Sequence, residues 1–426
     1  MTVKYTIRGM HITDHTIVVP LDWAHPDDGR TLKVFAREVV DPTKRGEPLP
    51  ILVFLQGGPG GKSPRPMSGE GWVAEALKTH RVVLVDQRGT GRSSRVQGAA
   101  IAALSTADAV AHLLCFRADS IVEDLEHLRT TIFGGVKWQT LGQSYGGFLT
   151  LAYLSTHPAA LSACYVTGGL TSFEPSADEV YRRTYPRVAA KTAAYYRRYP
   201  ADAELIARVA DIIQRDDVRL PDGDKLTVHR LQTLGIDLGM GPGAERIHWL
   251  FDEAIVDDAL SDTFLEQVMQ RTSYHDNPLF MVLQESIYGN GAGATRWAAE
   301  RIRAEFDAFD AGVRPLVFTG EMMYPWMLDE IASLRPFAAA ARGLAEHEDY
   351  SSLYDVQQLV ANEVPVAAIG YFDDMYVDVG FSLETERRVG NCRLRVTNDY
   401  EHDGIRQDAT IVRQLIDQVS DHGGVL

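Results

Sequence analysis

Gly142-Gln143-Ser144-Tyr145-Gly146 sets a serine between two glycines, each two residues away. That spacing is the nucleophile-elbow pattern, a hydroxyl at the tip of a sharp strand-to-helix turn that neighbouring backbone approaches closely. The chemistry it points to is acyl transfer through a covalent serine intermediate. A serine hydroxyl is a weak nucleophile by itself, so the chain must supply a base, and a carboxylate to orient that base. Their chain order in such enzymes is serine, then acid, then histidine. Of the thirteen histidines, His402 lies in a loop just after a late strand-like run, in Thr397-Asn398-Asp399-Tyr400-Glu401-His402. The acid is expected after the preceding strand, in Phe372-Asp373-Asp374-Met375-Tyr376. Asp374 is preferred there, and spacing leaves Asp373 open. The oxyanion needs two backbone donors. One is the Tyr145 N–H at the start of the following helix; the other comes from Gln56-Gly57-Gly58-Pro59-Gly60, where Gly57 and Gly58 free the backbone to turn N–H groups inward. That loop has neither a Gly-Lys-Ser/Thr ending nor dinucleotide-binding spacing, which argues against a phosphate cradle.

These residues need a scaffold. His15–Pro20 and Thr31–Val40 alternate β-branched and polar residues, as antiparallel strands do. Leu49–Leu55 and Arg81–Asp86 are continuous apolar runs, the signature of parallel strands covered on both faces. Ser120–Phe133 has helical spacing, Trp138–Leu141 is a short strand, Phe148–Thr156 a helix and Leu161–Thr167 a further strand. Alternating strand and helix predicts a mostly parallel α/β sheet with helices on both faces, the α/β-hydrolase fold. From Thr171 to Arg303 the periodicity turns helical, as in Pro186–Pro200 and Glu204–Gln214, before strand-like runs return at Arg314–Thr319, Val364–Gly370 and Cys392–Thr397. The reading is one core, residues 1–170 and 306–426, interrupted by a helical cap at residues 171–305 lying over the carboxyl ends of the strands.

Bulk properties bound the function. The 426 residues hold 42 basic and 58 acidic side chains, a formal charge of −16 that disfavours nucleic acid and anionic membrane and suits a cationic ligand. Cys115, Cys164 and Cys392 are far apart and odd in number, which predicts neither a disulfide framework nor a metal site. No signal-like start and no membrane-length apolar run is visible, so a cytoplasmic location is expected. The oligomeric state stays open, a homo-oligomer included.

Three segments together are more specific than the elbow alone. Gln56-Gly57-Gly58-Pro59-Gly60-Gly61, Asp86-Gln87-Arg88-Gly89-Thr90-Gly91-Arg92-Ser93 and Gly142-Gln143-Ser144-Tyr145-Gly146-Gly147-Phe148 resemble, in order and spacing, the prolyl aminopeptidases, or proline iminopeptidases. The resemblance spans almost the whole chain, and Thr319–Trp326 and Asp373–Val377 are similar to the larger-insertion branch. One departure is that the family's usual His-Gly-Gly-Pro-Gly begins here with Gln56, a change that leaves the backbone donors intact. The resemblance implies removal of N-terminal proline from short peptides by a Ser144, Asp374, His402 triad, without metal or cofactor. It also implies acids that hold the protonated imino nitrogen, since a secondary ammonium in a dry pocket needs a paired carboxylate. Glu285, in a Glu-Ser-Ile-Tyr segment similar to the family's Glu-Asn-His-Tyr, is one candidate and Glu321 another. Tyr288, with Tyr145, Phe148 and Trp326, would form a slot for the pyrrolidine ring. The competing functions are a carboxylesterase or amidase for another small substrate, and an inactive binding protein.

Overall fold

Along Ile51–Leu55 the side chains alternate between two cores: Leu52 and Phe54 face one cluster of buried residues, Val53 and Leu55 the other. A strand with two apolar faces is stable only between two covering layers, which is the arrangement found. The computed structural model describes residues 3–67, 71–174, 176–291 and 293–421. Its strands are β1 (Val3–Ile7), β2 (Met10–Pro20), β3 (Thr31–Val40), β4 (Ile51–Leu55), β5 (Arg81–Asp86), β6 (Trp138–Gln143) and β7 (Leu161–Thr167). A two-residue hairpin, β8 (Ile255–Val256) and β9 (Ala259–Leu260), follows, and then β10 (Val366–Tyr371) and β11 (Cys392–Thr397). Apart from the hairpin they form one sheet in the order β1-β2-β3-β5-β4-β6-β7-β10-β11. β1, β2, β3 and β5 pair antiparallel, and every pairing from β5 to β11 is parallel. Helices Ala118–Ile132 and Tyr145–Thr156 cover one face, and Gly71–Ala76 and Thr410–Asp421 the other.

The chain leaves the sheet after β7 and re-enters it, beside β7, at β10. Between them the described residues form helices, among them Ala177–Arg198 and Pro200–Arg215, and the small hairpin. The expected strand at Arg314–Thr319 is not one. Leu316 and Phe318 are buried in the cluster built by the helices, and the run is held by Gln232, whose side-chain amide donates to the Val317 carbonyl at 2.8 Å while its backbone carbonyl accepts the Thr319 N–H at 2.9 Å. A short apolar run has no period to distinguish a sheet strand from an extended segment packed under helices. The helical layer therefore continues well past residue 305. Its long helix Ala177–Arg198 carries Pro186 within it.

The Asp86–Ser93 segment turns out to be a bracket. Fully buried Asp86 accepts the Ser63 and Arg92 N–H groups and the Arg65 guanidinium. Arg88, also buried, forks onto Asp124 of helix Ala118–Ile132, with Nε to Oδ2 at 2.7 Å, and donates to the carbonyls of Pro20, Leu21 and Cys115. The Trp23 indole N–H completes the Asp124 shell at 2.9 Å. Ser93 Oγ donates to the Asp86 carbonyl and accepts the Phe35 N–H. Two buried charges are stable here because nearly every donor and acceptor around them is used. Asp124→Ala strands the Arg88 guanidinium and is expected to lower unfolding stability by about 3–5 kcal/mol in urea titrations. Arg342→Ala, which breaks a surface pair with Asp329, is expected to cost no more than about 1 kcal/mol.

Candidate active site

β6 delivers Ser144 at its carboxyl end, and the helix Tyr145–Thr156 starts at the very next residue. So abrupt a reversal puts Ser144 at φ +57°, ψ −123°, a backbone region that costs a non-glycine residue about 1–3 kcal/mol. Hydrogen bonds hold it there: Ser144 N–H donates to the Thr167 carbonyl at 3.0 Å, and Gly147 N–H to the Ser144 carbonyl at 2.7 Å. The flanking glycines are steric necessities. A Cβ on Gly146 would lie 2.0 Å from the Leu55 carbonyl oxygen, and one on Gly142 2.3 Å from that of Gly146. The helix begins three residues earlier than its apolar spacing suggests, which leaves the Tyr145 N–H at a free helix N-terminus. The Gln56–Gly60 loop comes up against the same serine, since a Cβ on Gly57 would meet Ser144 Cβ at 2.9 Å. Its carbonyl at Gln56 is braced by the Gln87 side-chain amide at 2.8 Å.

The loops after β10 and β11 bring an acid and a base together. His402 Nδ1 is 2.6 Å from Asp374 Oδ2, and both side chains are buried. Asp374 Oδ1 accepts the Tyr376 N–H at 2.8 Å and the Val377 N–H at 3.1 Å, so both carboxylate oxygens have fixed partners. Asp373 is exposed, which separates the two adjacent acids. The Tyr376 ring meets the imidazole edge to face at 4.8 Å, and its hydroxyl donates to the Ile236 carbonyl. An ionised carboxylate only accepts, so Nδ1 carries the proton and Nε2 is left with a lone pair. Burial pushes the His402 pKa down, but Asp374, then Glu321, outweigh it and lift it above the ordinary imidazole value.

Ser144 and His402 open on one cavity of about 250 Å³, which Gly57, Gly58 and Glu321 also line. Burial raises the Glu321 carboxyl to about 7; the charge of His402 and the Gln284 amide temper that rise, and the charge of Asp374 adds to it. Glu321 is thus a carboxyl group on the wall it shares with Ser144 and His402, its pKa raised to about 7.

The other expected binding residues are placed differently. Glu285 is buried with both oxygens committed, accepting the Ala298 and Ala299 N–H groups at 3.0 and 2.9 Å. It caps the helix Ala298–Arg303 and is not on the cavity wall. Tyr288 is not on that wall either. It packs between Phe148 and Tyr181, at 6.1 and 6.2 Å between ring centres. Tyr145 packs on Phe148, and Trp326 on His229 and Tyr324, so neither side chain reaches the cavity. Aromatic type alone does not tell a packing ring from a binding ring. The rings that do line the cavity are Phe280 and Tyr376, with Ile236 and Met240 beside them. Asn277-Pro278 is a legible helix start, and Asn277 Oδ1 accepts the Phe280 N–H at 3.1 Å, but nothing local says that this start faces Ser144. Among the described residues, no group of three or more His, Cys, Asp or Glu side chains is arranged to hold a metal, and no helix is long and apolar enough to cross a membrane.

Comparison with known proteins agrees with this architecture. Residues 50–250 match the family model of the alpha/beta hydrolase fold. A proline iminopeptidase of Aeromonas sobria is 43% identical over 418 residues, covering 98% of this chain and 97% of that one. One from Aspergillus aculeatus is 31% identical over 408 residues, covering 92% and 90%. With that identity over nearly its full length, the chain belongs to the proline iminopeptidase family of α/β hydrolases.

Proposed function

We propose that the protein is a serine aminopeptidase that releases N-terminal proline from short peptides. The observation that carries this reading is a single cavity holding Ser144, the His402 of an Asp374-His402 pair, and the carboxyl of Glu321. The first three residues supply acyl transfer, and the fourth supplies a partner for a cationic amine close to the reacting atoms. The relatives' name, proline iminopeptidase, is consistent with that amine being the secondary ammonium of proline.

In the proposed reaction Ser144 Oγ attacks the carbonyl of the first residue while His402 Nε2 takes its proton. Asp374 holds the imidazole in the required tautomer and stabilises the imidazolium that forms. The Tyr145 N–H and a donor from Gly57 or Gly58 bind the oxyanion. His402 then protonates the departing amine, and water hydrolyses the acyl-enzyme to release proline. Glu321 pairs with the ring ammonium, while Ile236, Met240, Phe280 and Tyr376 bound the apolar space around the pyrrolidine. Of these, Ile236, Met240, Phe280 and Glu321 come from the helical layer, which acts as a cap that closes the pocket behind the first residue. Such closure explains exopeptidase rather than endopeptidase action. The overall charge of −16 favours approach of a cationic terminus. Three free thiols suit a reducing, cytoplasmic location.

A fluorophosphonate probe is expected to label the wild type and not Ser144→Ala, and prolyl-naphthylamide is expected to be cleaved far faster than p-nitrophenyl acetate. Full peptidase activity in Ser144→Ala sinks the proposal, and faster ester turnover shifts the assignment to an esterase. Asp374→Asn keeps the shape but loses the tautomer control, and kcat is expected to fall roughly 10⁴-fold.

The pH dependence follows from two groups with the same sign. The base must be neutral and its pKa is raised, so activity is lost as pH falls through a value above the usual 6.5. Glu321 must be ionised to hold an ammonium and titrates at about 7, so KM rises over the same acid range. Glu321→Gln removes both effects of the charge. kcat/KM is expected to fall on the order of a hundredfold, and the acid limb of the kcat/KM profile, which reports the free enzyme, to move to lower pH. An unchanged limb contradicts the coupling between Glu321 and His402.

A further inference from the structure

The same cavity contains a cationic side chain for which the proposed chemistry has no use. Arg406 sits in the short helix Gly404–Gln407, one turn beyond His402, and lines the cavity wall with it. It is exposed, and among the described residues it is the one lysine or arginine on that wall. Two acids next to it in the chain have partners of their own. Glu401 pairs with Lys191. Asp403 Oδ1 accepts the Gly241 N–H at 2.9 Å and the Gln407 amide at 2.8 Å. Arg406 forms no ion pair among the described residues, whereas most arginines of the helical layer do.

We infer that Arg406 binds the C-terminal carboxylate of short peptide substrates, so that a free C-terminal acid is preferred over its amide. The inference rests on the aminopeptidase reading. His402 must hand its proton to the leaving amine, so the departing peptide passes on the His402 side of the cavity, the side on which Arg406 stands. A residue spans at most about 3.3–3.6 Å of extended chain, so the carboxylate of a dipeptide or tripeptide ends within one or two residues of the scissile bond. A cavity of about 250 Å³ matches an occupant of that length. Glu321 and Arg406 then complement the two charged ends of a zwitterion, and a planar guanidinium is suited to a carboxylate. In a molecule of net charge −16, a cation at this point also offsets the repulsion that a carboxylate would otherwise meet.

The test compares a prolyl dipeptide with its own C-terminal amide, in wild type, Arg406→Gln and Arg406→Lys. The measured quantity is the ratio of the two kcat/KM values within each preparation, which cancels differences in the amount of folded enzyme. The wild type is expected to prefer the free acid by about five- to tenfold. Arg406→Gln should bring the ratio close to one, and Arg406→Lys should retain part of it. Because Arg406 is exposed, the wild-type preference should shrink in ~1 M salt, where the screening length falls to about 3 Å. An Arg406→Gln enzyme that keeps the wild-type ratio, or a wild type with no preference, overturns the Arg406 assignment alone. A wild type that cleaves neither substrate overturns the aminopeptidase reading and this inference with it.

Discussion

The constraint on which the rest depends is the backbone at Ser144. One residue must end a fully buried parallel strand, carry a side chain into a cavity and start a helix. The conformation that does so here places a non-glycine residue at φ +57°. The cost falls on the neighbours: Gly146 lies against the carbonyl of Leu55 and Gly142 against that of Gly146, so the strand and the helix meet backbone to backbone. Because β4 and β6 are paired, the same contact that holds the serine also sets the start of the oxyanion loop after β4. Ser144 and the Gln56–Gly60 loop are therefore positioned by a single piece of packing, with the Gln87 amide bracing the loop from β5. On the proposed reading little of this geometry has to be created when substrate arrives, which is the condition for effective oxyanion stabilisation.

The acid and base come from the other half of the sheet. β10 lies beside β7 and β11 beside β10, so the loops after them lie at the same edge as the elbow. Sequence separation is irrelevant once the strands are in order. Asp374 and His402 reach each other because two adjacent parallel strands end at the same level, their register pairing Tyr371 with Thr397. The long helical excursion between β7 and β10 does not disturb this order. It adds Ile236, Met240, Phe280 and Glu321 as the opposite wall.

What was legible in the sequence follows from how local each signal is. The sheet strands of the core and the elbow announce themselves by apolar runs and glycine spacing, and Ser144, Asp374 and His402 follow from chain order on that framework. The edge strand Val3–Ile7 was not legible, because most of its residues are exposed and it buries too little to leave a pattern. Arg314–Thr319 reads as a strand and is not one, because an extended apolar segment satisfied by Gln232 has the same composition as a strand satisfied by a neighbour. Glu285 reads as a ligand-binding acid, while the cap it forms in the fold depends on which backbone N–H groups stand 13 and 14 residues further on. Arg406 and Phe280 carry no motif at all. Their place on the wall is a product of tertiary packing, and only the folded chain shows it.

The charges of the cavity are coupled in a way that gives the cationic substrate a second effect. Glu321 is one of the groups that lift the His402 pKa, and an elevated pKa leaves less of the histidine in the neutral form that can accept the Ser144 proton. An ammonium that pairs with Glu321 cancels most of its field at the imidazole. On the proposed reading, binding therefore lowers the proton affinity of His402 at the moment its base form is required, while Asp374 continues to hold the tautomer. A neutral substrate of the same shape leaves that field in place and meets a more protonated base. Discrimination in favour of a free N-terminus then arises twice from one carboxylate, once in binding and once in the chemistry, although Glu321 touches none of the bonds that break.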